Sequence, residues 1–287
     1  MKNIIVPVDF SRISLNGLDL AFLLSRYLEA RIQMVHIIKK EENIYHSEEE
    51  IQSSRIRESF EAITEKYKKS NPGIKLDYII KEGKVYEEVV NQANAFKDSL
   101  IVTSTHGASG WEELFVGSNA YKIVASSSRP VFTIRGNKVP GQVKRIVLPL
   151  DITAETREKV PFTAKLATAL EAEVSIVTVN MSNMTDIQDK LNDYSVQVSG
   201  YLEKHKIRNS VSHVHGTNIT DMTIEFALKE KADLISIMTE QEKSISNILL
   251  GSYAHQMINK SPVPILLFPS RQVGVITESF LTEGIKY

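Results

Sequence analysis

One stretch near the start of this chain returns near its middle, and that repetition limits what the chain can fold into more than any other feature. Ile4-Ile-Val-Pro-Val-Asp9-Phe-Ser11 comes back as Ile146-Val-Leu-Pro-Leu-Asp151-Ile-Thr153, proline on proline and aspartate on aspartate. The order that follows each copy repeats as well. Val174–Val179 mirrors the apolar run 32–38, and Val211–His215 with Gly216 mirrors the run 74–80 with Gly83. Leu234–Met238 mirrors the run that begins at Ser99, and Gly251-Ser252 mirrors Gly117-Ser118. Ser261–Phe268 closes the second unit as Ser128–Ile134 closes the first. The expectation is a first domain over residues 1–136, a second over 144–270 and a C-terminal tail over 271–287. The linker is about Arg135 to Lys144, rich in Gly, Pro and Lys.

Within the first unit, apolar runs read as strands alternate with segments of helical periodicity. Residues 4–8 and 32–38 flank a helix over 15–28 in the manner of a βαβ unit. From Glu41 to Lys69, Ile51, Ile56, Phe60, Ile63 and Tyr67 recur at helical spacing among many charges, and Pro72-Gly73 stops that helix. A strand over 74–80, a helix over 85–95, a strand at 99–103 and a last strand at 131–134 complete the unit. Five strands alternating with four helices imply a doubly wound parallel α/β sheet with helices on both faces, here two five-stranded sheets in tandem. Ligands on such sheets bind beyond the carboxyl ends of the strands, where the strand order reverses.

Composition removes several classes of function. Lys and Arg number 34 against 35 Asp and Glu, so the chain offers no overall positive field for nucleic acid or an anionic membrane. It has no cysteine, which excludes disulfides, thiolate metal sites and cysteine nucleophiles. No apolar run reaches membrane-spanning length, and the N-terminus enters a strand without a signal-peptide pattern, so a cytoplasmic location is expected.

The chemistry concentrates between Ser104 and Val124, S-T-H-G-A-S-G-W-E-E-L-F-V-G-S-N-A-Y-K-I-V, directly after the fourth strand. Gly107 allows a ligand to approach the backbone. Gly117-Ser118 puts a small residue and a hydroxyl at a helix N-terminus, where free N–H groups and the dipole favour an anion. A glycine turn and a serine N-cap would explain any one of these residues alone. Their combination after a strand points to phosphate. The chain contains neither a Walker A loop nor a dinucleotide fingerprint.

The spacing Ser104-x2-Gly107-x9-Gly117-Ser118 resembles the universal stress protein family, whose nucleotide-binding members carry G-x2-G-x9-G-[ST] after the fourth strand; Ser104 stands where the family has its first glycine. The first strand ending in Asp9 and followed by Ser11 is similar to the family's first strand. The resemblance implies an adenine nucleotide, ATP or a relative with or without Mg2+, at a site formed from Pro7, Asp9, Ile37, Ser104, Thr105, His106, Gly107, Gly117, Ser118 and Asn119. In it Asp9 would touch ribose or adenine, and the backbone at Ile37 would face adenine. The resemblance also implies that fifth strands pair, so that 131–134 and 265–268 could pair within one molecule, with a homodimer as a further possible partner.

The second unit departs from the motif. Met238 and Gln241 stand at the positions of Ser104 and Gly107, and Glu240 and Glu242 place negative charge where phosphates would lie. It is expected to be a degenerate partner, although Asp151 and Gly251-Ser252 could support an unrelated small ligand. His213 and His215 share one strand face with metal-compatible spacing but have no third ligand in the sequence. Trp111 either covers the motif loop or meets a partner. No lysine lies between Ser104 and Ala120 and no nucleophile–base pair is identifiable, so the expectation is a stress-response nucleotide-binding module with at most slow hydrolysis. Two alternatives stay open: an interaction protein with relic sites, and a slow ATPase or metal-dependent hydrolase.

Overall fold

The computed structural model describes residues 2–38, 46–105, 118–136, 139–153, 155–239, 241–243 and 248–269. The first half runs β1 (Asn3–Pro7), α1 (Arg12–Leu28), β2 (Arg31–Ile38), α2 (His46–Ser70), β3 (Leu76–Glu82), α3 (Val85–Asn94), β4 (Ser99–Thr105), α4 (Ser118–Ser126) and β5 (Val131–Arg135). The second half repeats it as β6 (Arg145–Leu150), α5 (Val160–Leu170), β7 (Glu173–Asn180), α6 (Thr185–Lys204), β8 (Asn209–His215), α7 (Ile219–Lys229) and β9 (Leu234–Thr239). A hairpin of β10 (Gln241–Lys243) and β11 (Ile248–Leu250) comes next, then α8 (Ser252–Lys260) and β12 (Ile265–Pro269). The hairpin was not legible in the sequence, which reads there as a loop.

All strands except the hairpin join one ten-stranded sheet in the order β3-β2-β1-β4-β5-β12-β9-β6-β7-β8. Each half contributes five parallel strands, and the halves meet where β5 and β12 run antiparallel, with Phe132 opposite Leu266. The tandem doubly wound architecture expected from the repeat is present, and the pairing of fifth strands occurs inside one chain.

Strand side chains alternate between the two faces, so each strand feeds two cores. Ile4, Val6, Met34, Leu100, Phe132, Leu148 and Leu266 face one core together with residues of α1, α2, α5 and α6. Ile5, Val35, Ile101, Val131, Val147, Ile235 and Leu267 face the other, with residues of α3, α4, α7 and α8. Both cores run through the β5–β12 seam. Each fully buried Ile, Leu or Phe along it contributes roughly 1.5–3 kcal/mol relative to exposure, which makes the seam an internal part of the fold.

The helix that follows the first strand ends alike in both halves but starts differently. α1 is capped by Ser11, whose hydroxyl accepts the Ser14 amide at 3.1 Å, and it ends at Glu29 with φ 50°. α5 ends at Glu171 with φ 53°. Its start differs. Pro161 has no amide to give the preceding turn, and α5 opens only at Val160, behind a short 3-10 turn over Glu155–Arg157.

Candidate functional site

In each half a cleft opens because two neighbouring strands part company. β1 and β4 pair through Asn3–Ile5 against Ser99–Ile101, yet the strands continue to Pro7 and Thr105. Their carboxyl ends therefore diverge at the reversal of strand order, the position where sheets of this type hold ligands. β6 and β9 do the same, pairing at Ile146–Leu234 and Val147–Ile235 alone.

Asp9 stands on the rim of the first cleft in a closed local network. Its Oδ1 accepts the Ser11 amide at 3.0 Å, and its own amide donates to Ser14 Oγ at 3.3 Å. Burial pushes the carboxyl up, but the hydrogen bonds from Ser11 and Ser14 outweigh it and hold Asp9 below the usual carboxylate value. Phe10 takes a left-handed backbone, φ 67°, rare for a bulky side chain. Its ring lies 4.9 Å from His36 and 4.8 Å, edge-on, from Phe60, contacts that fix the turn and with it the direction of Asp9. His36 Nδ1 meets the Val8 carbonyl oxygen at 2.7 Å. Neither Phe10 nor His36 was singled out from sequence; the aromatic cluster joins residues far apart in the chain.

Across the cleft, Ser104 and Thr105 end β4. Ser104 Oγ and Thr105 Oγ1 are buried and have no hydrogen-bond partner among the described residues. Buried hydroxyls are nearly always paired, so two adjacent orphans at a strand end call for a ligand or the adjoining loop. Ser104 also depends on Gly17 of α1. A Cβ at residue 17 would stand 2.8 Å from Ser104 Oγ, so any larger residue there would force Ser104 to rotate or the helix to move.

The remaining predicted residues fall as follows. Pro7 closes β1 opposite Val35, and Ile37 lies within the β2–β3 pairing opposite Lys81 while its side chain packs on the second core. Ser118 begins α4, so its helix N-terminus follows the motif as expected, and Asn119 is exposed on that first turn. His106, Gly107 and Gly117, together with Trp111, lie outside the described residues. The part that is described fits a nucleotide: unpaired hydroxyls and a helix N-terminus suit phosphate oxygens, and an oriented carboxylate suits ribose hydroxyls.

The second cleft reproduces the acidic turn. Thr153 donates its amide to Asp151 Oδ1 at 2.7 Å, and the Asp151 amide donates to Thr156 Oγ1 at 3.2 Å. A cavity of about 310 Å³ opens beside it. His213 and His215 are both exposed on β8, and His213 Nδ1 meets Thr178 Oγ1 at 2.7 Å. Among the described residues no group of three His, Cys, Asp or Glu could hold a metal ion.

The sequence model of the universal stress protein family matches residues 1–135 and again 142–269. The chain belongs to the universal stress protein family. Two curated members are similar over about half of it: universal stress protein MJ0531 of Methanocaldococcus jannaschii and universal stress protein YxiE of Bacillus subtilis. The first is 26% identical over 142 residues, 48% of this chain and 84% of its own. The second is 26% identical over 146 residues, 47% of this chain and 99% of its own. Among solved structures, a universal stress protein of Archaeoglobus fulgidus superposes with a TM-score of 0.77 at 20% identity, covering 93% of this chain and 98% of that one. A likeness over both whole chains supports the tandem fold. No helix among the described residues is long and apolar enough to cross a membrane.

Proposed function

We propose that the first half of this universal stress protein binds ATP or a related adenine nucleotide and that the protein acts in the stress response as a regulatory binding module. The observation that carries this reading is the pair of buried hydroxyls without a partner among the described residues, Ser104 Oγ and Thr105 Oγ1, at the diverging end of β4 across the cleft from the oriented Asp9. Phosphate oxygens would accept from these hydroxyls and from the amides that open α4, while Asp9 would accept from the ribose.

Binding rather than turnover is the function this arrangement supports. Phosphoryl transfer needs positioned cations, and no lysine lies between Ser104 and Ala120.

Titration of the whole chain with ATP, with and without magnesium, tests the reading by calorimetry and by melting temperature. A ligand of the native state must raise stability, by about 2.7 kcal/mol at a hundred times its Kd. Absence of heat together with an unchanged melting temperature would replace this reading by an interaction protein with relic sites.

A further inference from the structure

The residue-for-residue match of Asn3–Ile38 to Arg145–Asn180 puts Lys159 where the first half has Gly17. Gly17 keeps α1 tight against Ser104. In the second half the position instead carries a long flexible cation, and Met238 replaces the serine. Lys159 is 2% exposed. It sits at the break between the 3-10 turn and α5, where Nζ donates to the Thr156 carbonyl oxygen at 2.6 Å and to Thr156 Oγ1 at 3.1 Å. Two bonds to fixed acceptors hold the amine at one place, and the residue lines the 310 Å³ cavity.

The walls of that cavity select a ligand. Val179, Ile219, Ile237 and Met238 make much of it apolar, while Asp151 and Glu155 line the same space. Asp151 and Glu155 oppose an anion there, and the lysine itself repels a cation, so a charged ligand of either sign meets at least one like charge. A neutral, largely apolar molecule is what the space accepts, and an amine offers such a molecule one specific reaction. We propose that the second half is a binding site for a small apolar aldehyde or ketone, which Lys159 holds as an imine.

In that step the Nζ lone pair attacks the carbonyl carbon, and the carbinolamine so formed expels the former carbonyl oxygen as water together with the two hydrogens of the neutral amine. A C=N bond replaces the C=O bond, with no oxidant or reductant. The neutral amine has two hydrogens, enough for both Thr156 oxygens, which leaves its lone pair for the carbonyl carbon. Burial lowers the Lys159 pKa from 10.5 to about 8, with the nearby Asp151 charge opposing the shift. At pH 7 its neutral fraction is then roughly 300-fold that of an exposed lysine.

Reductive trapping of the whole chain tests this. Limiting butanal and sodium cyanoborohydride at pH 7, followed by peptide mapping, should butylate Lys159 about ten-fold or more faster than exposed Lys206, once the lower nucleophilicity of a weaker base is allowed for. The α-amino group titrates in the same range and is separated by the mapping. Urea-unfolded chain should lose the preference, Lys159→Met should lose the product, and Ile219→Phe, which narrows the cavity, should slow Lys159 while leaving Lys206 unchanged. Labelling of native Lys159 no faster than Lys206, or no slower in Ile219→Phe, would overturn the proposal. The urea and Ile219→Phe arms decide the matter if Lys159→Met does not fold. The readout is confined to the second half, so either result leaves the nucleotide reading untouched.

Discussion

The Tyr121 hydroxyl accepts the Leu250 amide at 3.2 Å, a bond that runs from the helix after the first motif to the residue just before the second Gly-Ser pair. The same ring meets His255 edge-on, 5.2 Å between centroids. α4 and α8 each open at one of the two clefts, and this contact joins them on the face of the sheet that carries the second core. The first turns of the two helices are thereby in direct contact.

Tyr121→Phe keeps the ring and removes the acceptor. It should cost about 1 kcal/mol, the net worth of a hydrogen bond plus some penalty for the stranded amide. Denaturant unfolding measures it, and a loss indistinguishable from zero would show that the Leu250 amide finds another partner.

Gly17→Ala should be worse than helix propensity suggests. Alanine gains up to about 1 kcal/mol in an exposed helix, but here the added methyl meets Ser104 Oγ at 2.8 Å, and overpacking costs typically 1–3 kcal/mol. Net destabilisation is expected. Adding Ser104→Gly removes the atom in the way, so the double variant should recover most of the loss. Additive effects in that cycle would dissociate the two residues.

Thr105→Val exchanges an orphaned buried hydroxyl for a methyl of the same shape. Without nucleotide the variant should be as stable as the parent or gain up to about 1 kcal/mol, because a polar atom with no partner among the described residues leaves the interior. Its ATP affinity should fall about ten-fold, the loss of one hydrogen bond to a charged acceptor. Calorimetry beside thermal melting separates the two effects, and unchanged affinity would remove Thr105 from the site.

Lys159 sets an alkaline slope. The native state releases this proton near pH 8, whereas the unfolded chain holds it to about pH 10.5, so the unfolded state binds more protons in between. Stability should rise with pH across that window, and the full penalty, on the order of 3 kcal/mol, is present below pH 8. Tyr67 acts oppositely above pH 10: burial, then its hydrogen bond to Asp19, raises its native pKa, and that contribution is lost as pH climbs past the unfolded value of 10.0. The clean interval is thus pH 8 to 10. Lys159→Met should flatten it and raise stability at neutral pH, as read from denaturation midpoints at several pH values.

Much of the architecture was legible because it rests on local rules. Alternating apolar residues in Ile4–Val8 and Ile146–Leu150 serve two cores whichever neighbours they meet. Asp9-x-Ser11 and Asp151-x-Thr153 close their turns through bonds two residues apart, which short-range patterns reveal. Ser104 near the end of β4 and Ser118 at the start of α4 were legible because the end of a strand and the start of a helix are marked in the sequence. Lys159 was not. In Glu155-Thr-Arg-Glu-Lys159 it is one charge among four, and the series reads as a solvated turn; only its alignment with Gly17 hints that it faces inward. The β10–β11 hairpin was missed for a related reason, since strands of three residues carry too few side chains to show a period.

The sequence by itself determined that this protein is a duplicated α/β molecule of the universal stress protein family with its glycine–serine motif better kept in the front half, because repetition and periodicity are properties of neighbours along the chain. The family resemblance anticipated that β5 and β12 pair; tertiary structure alone decided that Gly17 lies against Ser104 and that Lys159 is enclosed beside a largely apolar cavity. Those outcomes depend on distances between residues far apart in the chain, and burial, which governs the charge of a lysine and the fate of an unpaired hydroxyl, exists only once such residues have met.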